Sequence, residues 1–248
     1  MKNNFNNFYD NFHKKTIFQK RVVNSKNFTY RDLLKVIIKL VKPNCKILDI
    51  GCGAGTIDFF LASKGNYVTG IDVSLTAIES CIKSSRLMGL ENNLNFFQMC
   101  FPDQIPTNMF EIIIFSEVLE HINSEKKSLD AINKILQTKG IVIVSVPSLN
   151  APLFKLGFLK KFDKEVGHLR RYSQKSITKL FNDNGFMVIE VLKTEGILRN
   201  SLFVFPCFNL FVKCLNKYNF LSDVVSFLDR SLIKIFGESN IILLARKI

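Results

Sequence analysis

Between Ile47 and Thr56 the chain reads ILDIGCGAGT: apolar residues and one carboxylate run into glycines at 51, 53 and 55. A short apolar run that breaks on alternating glycines predicts a buried strand, a tight turn and a helix whose first backbone N–H groups face the turn. The same theme then recurs. YVTGID, LNFFQM, FEIIIFS and GIVIVSVP predict four further strands. Between them, SLTAIESCIKSSRLMG predicts a helix with Ser74 as N-cap and Gly89 as its stop, and another is expected over residues 125–137. A helix over residues 30–41 precedes them, with Leu33, Leu34, Ile37, Ile38 and Val41 on one face and Pro43 ending it. Strands alternating with helices predict a parallel α/β sheet with its ligand at the carboxyl ends of the strands.

Beyond Pro147 the pattern loosens. Residues 148–172 read as a lid insert, followed by a helix at QKSITKLFNDNG and a strand at FMVIEVLKT. Residues 196–237 are apolar without strand character, and NIILLARKI closes the chain as a last strand. Residues 1–30 form an N-terminal extension, and residues 31–248 one domain carrying both inserts.

Composition narrows the partners. The chain has 34 Lys and Arg against 21 Asp and Glu, a formal charge of +13. Such an excess favours anionic partners: nucleic acid, anionic headgroups or acidic small molecules. The alternative is a Lys- and Asn-rich composition with ordinary solvated lysines. Six cysteines form no CxxC pair, which argues against a zinc ribbon or disulfide scaffold and for a reducing compartment. MKNNFNNFYDNFHKK lacks the apolar core of a signal peptide, so the expected location is the cytoplasm.

A nicotinamide fingerprint would place glycine where Thr56 stands. Asp49 is more informative, because a carboxylate at the mouth of the turn repels a pyrophosphate and attracts a cationic group. Asp72, ending the second strand, is placed to accept from two ribose hydroxyls. An adenosine with a methionine tail satisfies both acids, which points to S-adenosylmethionine as cofactor. The alternative is a structural strand-end Asp beside a tight turn.

On these residues the chain resembles the class I S-adenosylmethionine-dependent methyltransferases. ILDIGCGAGT, VTGIDVS and FEIIIFSEVLEHI are similar to the family's first, second and fourth-strand motifs, and GIVIVSVPS to its fifth. GHLRRYS followed by LFNDNGFMVIEV is similar to the lid and sixth strand of a subgroup near the ubiquinone-type and cell-envelope-associated enzymes. The resemblance implies a Rossmann-like seven-stranded sheet, helices on both faces, with the closing strand antiparallel. It implies a cofactor set of Asp49, Gly51, Cys52, Gly53, Gly55, Asp72, Val73, Ser116 and Asp103. The family commonly carries an acid after the third strand; here FFQMCFPDQIP puts Cys100 or Phe101 there and Asp103 slightly late.

Methyl transfer is an in-line displacement at an activated sulfonium, so the protein must mainly align reactants and exclude water. A base is needed only where the acceptor must lose a proton. His121, His168 and Tyr172 are the candidates, each with structural packing as the alternative. Arg170 and Arg171, among lid lysines, suit an anionic group on the acceptor; the alternative is an ion pair with Asp163 or Glu165. Glu117, Glu120 and His121 fall at helical spacing and could hold a hard or borderline divalent ion, as the ubiquinone-type resemblance also suggests for magnesium. No metal is the leading expectation.

Within residues 196–237, Val224, Val225, Leu228, Leu232 and Ile235 form one helical stripe. With nearby basic residues this points to peripheral contact with an anionic membrane on its inner face; the alternative is a helical cap on the core. The expected activity is O-methylation of a small-molecule, lipid or lipid-linked glycan acceptor. The alternative is an RNA methyltransferase or a nucleic-acid-binding module, supported by charge alone.

Overall fold

The computed structural model describes residues 9–10 and 18–248. Seven strands form one sheet: β1 (Lys46–Ile50), β2 (Tyr67–Asp72), β3 (Leu94–Gln98), β4 (Phe110–Ser116), β5 (Leu136–Pro147), β6 (Phe186–Thr194) and β7 (Asn240–Lys247). Their order is β3-β2-β1-β4-β5-β7-β6. The first five are parallel, and β7 runs antiparallel between β5 and β6. The expected seven-stranded α/β sheet with a reversed last strand is the observed one.

The strands are apolar on successive residues because helices cover both faces. Ile47, Ile112, Ile114 and Ile242 pack under α1 (Arg31–Leu40), α2 (Thr56–Ala62) and α3 (Leu75–Met88). Leu48, Ile113, Phe115 and Leu243 face the other way, against α4 (Glu125–Ile135) and α7 (Gln174–Asn182). Ser74 caps α3 by accepting from Ala77 N, and Gly89 ends it at φ 65°, as the sequence predicts. β5 starts earlier than expected, at Leu136, because a register shift opposite β4 absorbs Lys139, whose φ is +63°.

The lid region holds two short helices, α5 (Pro152–Lys155) and α6 (Lys160–Val166). The apolar insert folds as α8 (Ile197–Val204), α9 (Asn209–Lys217) and α10 (Asn219–Phe236). It packs on the N-terminal side through Phe28, Leu202 and Leu215. Charged contacts fasten the same seam: Arg31 donates to Ser222 at 2.6 Å and pairs with Asp223, and Arg230 reaches Asp32 at 2.6 Å. Arg199, 2% exposed, pairs with Asp32 and donates to Phe28 O at 2.9 Å.

The stripe expected on α10 is divided. Val225 packs against the Phe28 cluster, Leu232 is half-buried, and Val224, Leu228 and Ile235 are exposed. The fully buried positions of this helix are polar: Ser222, Ser226 and Asp229. Asp229 accepts from the backbone N–H of Gly196 at 2.7 Å and of Arg199 at 3.0 Å. The large apolar residues face out, with Phe220 at 76%, Phe227 at 71% and Ile235 at 74% exposure. No single helix among the described residues is long and apolar enough to cross a membrane. The pair Ile197–Val204 and Pro206–Lys217 has the length and composition only when joined across a 95° bend.

Candidate active site

β1 delivers Asp49 to the edge of the sheet and ends in the glycine turn. Gly51, Gly53 and Gly55 have φ of +75°, +51° and +71°. Gly51 is required twice over: a Cβ there would also lie 2.4 Å from Val118 Cγ2. The N–H groups of Gly51 and Cys52 donate to Ile71 O at 2.7 and 3.0 Å, tying the turn to the end of β2. Asp72 then organises the second wall. Its Oδ2 accepts from Gly53 N at 2.9 Å and its Oδ1 from Ser74 N at 2.9 Å. Each oxygen keeps a lone-pair direction for a further donor.

These residues line a cavity of about 560 Å³. Asp49, Gly51, Cys52, Gly53, Asp72, Val73, Ser116 and His121 all border it, so most of the expected cofactor set converges. Gly55 stands behind the turn as the N-cap of α2, with no room for a Cβ against Cys81 Sγ at 2.9 Å. Ile71, Met99 and Phe101 add apolar wall, as expected for a nucleobase held by packing.

Asp103 does not join them. It pairs with Lys127 of α4, away from the cavity lining.

Two contributors escaped the sequence reading. Asp58, on α2, is fully buried and within hydrogen-bond reach of Asp49, with no donor to either oxygen among the described residues. Two carboxyls buried side by side disfavour both being charged, which favours a proton on the pair. Burial pushes Asp58 up to about 7; burial and then Asp58 itself raise Asp49 well above the usual carboxylate range. A helical residue three positions past the turn carries no sequence signal for this contact.

The second comes from described residues of the N-terminal extension. Tyr9 lines the cavity with its ring edge-on to His121, at 6.0 Å between centroids. Asp10 accepts from Ser74 Oγ at 2.7 Å, and Gln19 donates to Ala54 O at 3.2 Å.

The acceptor side departs further from expectation. EVLEH is not a helical turn: Glu117 has φ +55°, and only Leu119–His121 form a 3₁₀ turn. Glu117 therefore faces back into the sheet edge, accepting from Ser145 Oγ at 2.5 Å and Asn240 Nδ2 at 2.6 Å. It borders the cavity with His121, whereas Glu120 is buried and gathers with His121 and His168 instead. His121 borders the cavity, and burial followed by the charge of His168 lowers its pKa to about 4. His168 lies behind it, with ring centroids 4.9 Å apart.

Tyr172 is core, not catalytic surface. It is 4% exposed, its backbone bridges to Ser148, and burial, then Glu125, raises its phenol above the ordinary range. The arginines are also occupied. Arg171 makes a paired contact with Asp163 at 2.8 and 2.5 Å, and Arg170 donates to Ile122 O at 2.8 Å. They hold the lid down, and neither lines the cavity.

A reversed β7 beside β5, a glycine turn against an acid-tipped β2, and a cavity at the carboxyl ends of the strands define a class I S-adenosylmethionine-dependent methyltransferase fold and site. A family model described as a methyltransferase domain matches residues 41–185, and the chain belongs to that family. It is 31% identical over 119 residues to ubiquinone biosynthesis O-methyltransferase of Idiomarina loihiensis, covering 46% of this chain and 47% of that protein. It is 33% identical over 107 residues to phosphoethanolamine N-methyltransferase 1 of Zea mays, covering 42% and 21%. The matched region thus spans about half or less of these relatives' length. Among solved structures, magnesium protoporphyrin IX methyltransferase from Synechocystis PCC 6803 with bound SAH superposes with a TM-score of 0.67 at 17% identity, covering 100% of both chains.

Proposed function

We propose that this chain transfers the methyl group of S-adenosylmethionine to an oxygen of an amphiphilic acceptor held at an anionic membrane surface. The observation that carries the membrane part is α10, whose polar side faces the protein and whose phenylalanines face out. A helix cap meant for burial would be arranged the other way round. Exposed Leu210 on α9 and Leu156 and Phe158 in the lid extend the apolar surface. Lys213, Lys217 and Lys234 stand exposed on the same insert, as an interfacial helix facing anionic lipid requires.

The lid packs against the end of α8 through Leu153, Leu159, Val204 and Phe205. The lid, whose Val166 lines the cavity, is therefore in contact with the apolar insert. Docking would bring a lipid-borne acceptor to the cofactor without full extraction into water. In this reading Asp72 accepts from the ribose hydroxyls and Asp49 faces the cationic end of the cofactor. The ubiquinone-pathway relative supports oxygen as the acceptor atom.

Calorimetry with S-adenosylhomocysteine tests the cofactor half; no heat on folded protein refutes it. Flotation with phosphatidylcholine vesicles, with and without phosphatidylglycerol, tests the other half. The protein should float more with the anionic vesicles, and salt should reduce that difference without abolishing binding. Phe220→Glu with Phe227→Glu should release the protein while leaving its circular dichroism unchanged, since both side chains are exposed. A wild type that ignores both vesicles but shifts an RNA probe establishes the nucleic-acid reading instead. Labelled methyl recovered on an amine of a lipid extract would overturn the oxygen assignment.

A further inference from the structure

Glu120 is fully buried, and both its oxygens lack a hydrogen-bond donor among the described residues. Two imidazoles face it. His121 Nε2 and His168 Nε2 each lie 3.8 Å from Glu120 Oε1, too long for a hydrogen bond. The far nitrogens decide the tautomers. His121 Nδ1 meets Gly167 O at 3.1 Å, and His168 Nδ1 meets Asp163 Oδ1 at 3.0 Å. A carbonyl and a carboxylate can only accept, so both Nδ1 atoms carry the hydrogen. In that tautomer each Nε2 offers its lone pair to a cation.

Three possible ligand atoms thus converge within 4.8 Å, and among the described residues no donor reaches either oxygen of Glu120. A single proton on Glu120 could serve one of them, leaving the others unsatisfied at a cost.

We propose that Glu120, His121 and His168 bind one divalent transition-metal ion between the lid and the glycine-turn side of the cavity. A ligand set of two imidazoles and one carboxylate suits zinc or a similar borderline ion, and does not suit magnesium or calcium. An ion about 2.1 Å from each donor needs donors about 3.4 Å apart, so the two 3.8 Å contacts to Glu120 Oε1 would close by a few tenths of an ångström. The second shell is already in place. Asp163 orients His168 and is itself clamped by Arg171 at 2.5 and 2.8 Å, a carboxylate–histidine arrangement typical of metal ligands.

The site differs from the run of acids and histidine visible in the sequence. Glu117 is engaged instead by Ser145 Oγ and Asn240 Nδ2, and the third ligand, His168, comes from the lid, 48 positions beyond Glu120 but tied to it by the Leu169 N to Glu120 O bond at 2.9 Å. (Three ligands leave positions free for water or an acceptor oxygen, and His121 borders the cavity.)

The test uses the full chain, stripped with chelator and exchanged into metal-free buffer. Cobalt(II) should bind at one equivalent per chain and give visible d–d absorption, and zinc should displace it. His168→Gln and Glu120→Gln should each weaken binding at least 10-fold, and together abolish it, with circular dichroism confirming the fold. Glu117→Gln should bind cobalt as the wild type does. Should Glu120→Gln fail to fold, His168→Gln alone decides, because its side chain lies at the lid. No cobalt bands with the wild type, bands unchanged in His168→Gln, or bands lost in Glu117→Gln would each overturn the proposal.

Discussion

The buried pair of Asp49 and Asp58 shows how much one residue can alter a familiar turn. Folding raises both acids above their unfolded values, so the folded state holds a proton the unfolded chain releases between about pH 4 and 7. The pair is therefore tolerated best at low pH, and stability falls as pH rises through that window. The slope at full one-proton coupling is about 1.4 kcal/mol per pH unit. Asp72, Cys52 and Cys81 face the pair from β2, the turn and α3, and Asp72 adds to the same upward shift. Asp58→Asn removes the second charge. Thermal melts from pH 5 to 8 should show the variant gaining on the wild type as pH rises. A difference independent of pH would mean the two carboxyls do not share a proton. Asp49 was legible because strand and turn placed it; Asp58 was not, because its partner is set by how α2 lies on the sheet.

At the scale of elements, the period of a pattern was legible and its direction was not. Continuous apolar runs in β1, β4 and β7 fit a sheet covered on both faces. The stripe on α10 foretold a helix, but periodicity cannot say which side meets the protein. EVLEH had helical spacing, yet one left-handed residue at Glu117 broke the register. The glycine turn allows a sharper test. Gly51 and Gly89 share nearly the same backbone, φ +75° and +65°, but only Gly51 has a neighbour where a Cβ would go. Gly89→Ala should cost about 1–2 kcal/mol, the left-handed penalty alone. Gly51→Ala should cost more, by at least about 1 kcal/mol of overpacking, and should weaken cofactor binding because Val118 lines the cavity. Equal costs in urea denaturation would show that Val118 yields freely.

Across the whole molecule, distant segments meet at charged seams that no local pattern announces. Arg199 is the clearest case, buried against the rings of Phe28 and Phe203 at 5.1 and 5.7 Å and paired with Asp32. Glu195 lies 3.6 Å away, and burial raises it to about 7. Removing one partner of a buried pair typically costs about 3–5 kcal/mol. Arg199→Ala should show that loss, and Arg199→Met with Asp32→Asn should lose markedly less. A double variant no better than the single would mean the rings, not the charge, hold the seam. The same seam bears on dissection of the chain. Residues 196–237 form an insert by sequence, yet excising them would strip Arg31 of Ser222 and Asp223 and Asp32 of both its arginines. The insert is therefore not a detachable module: a shortened chain would expose an unbalanced charge cluster on α1, and a swap between proteins would have to carry both sides of the joint.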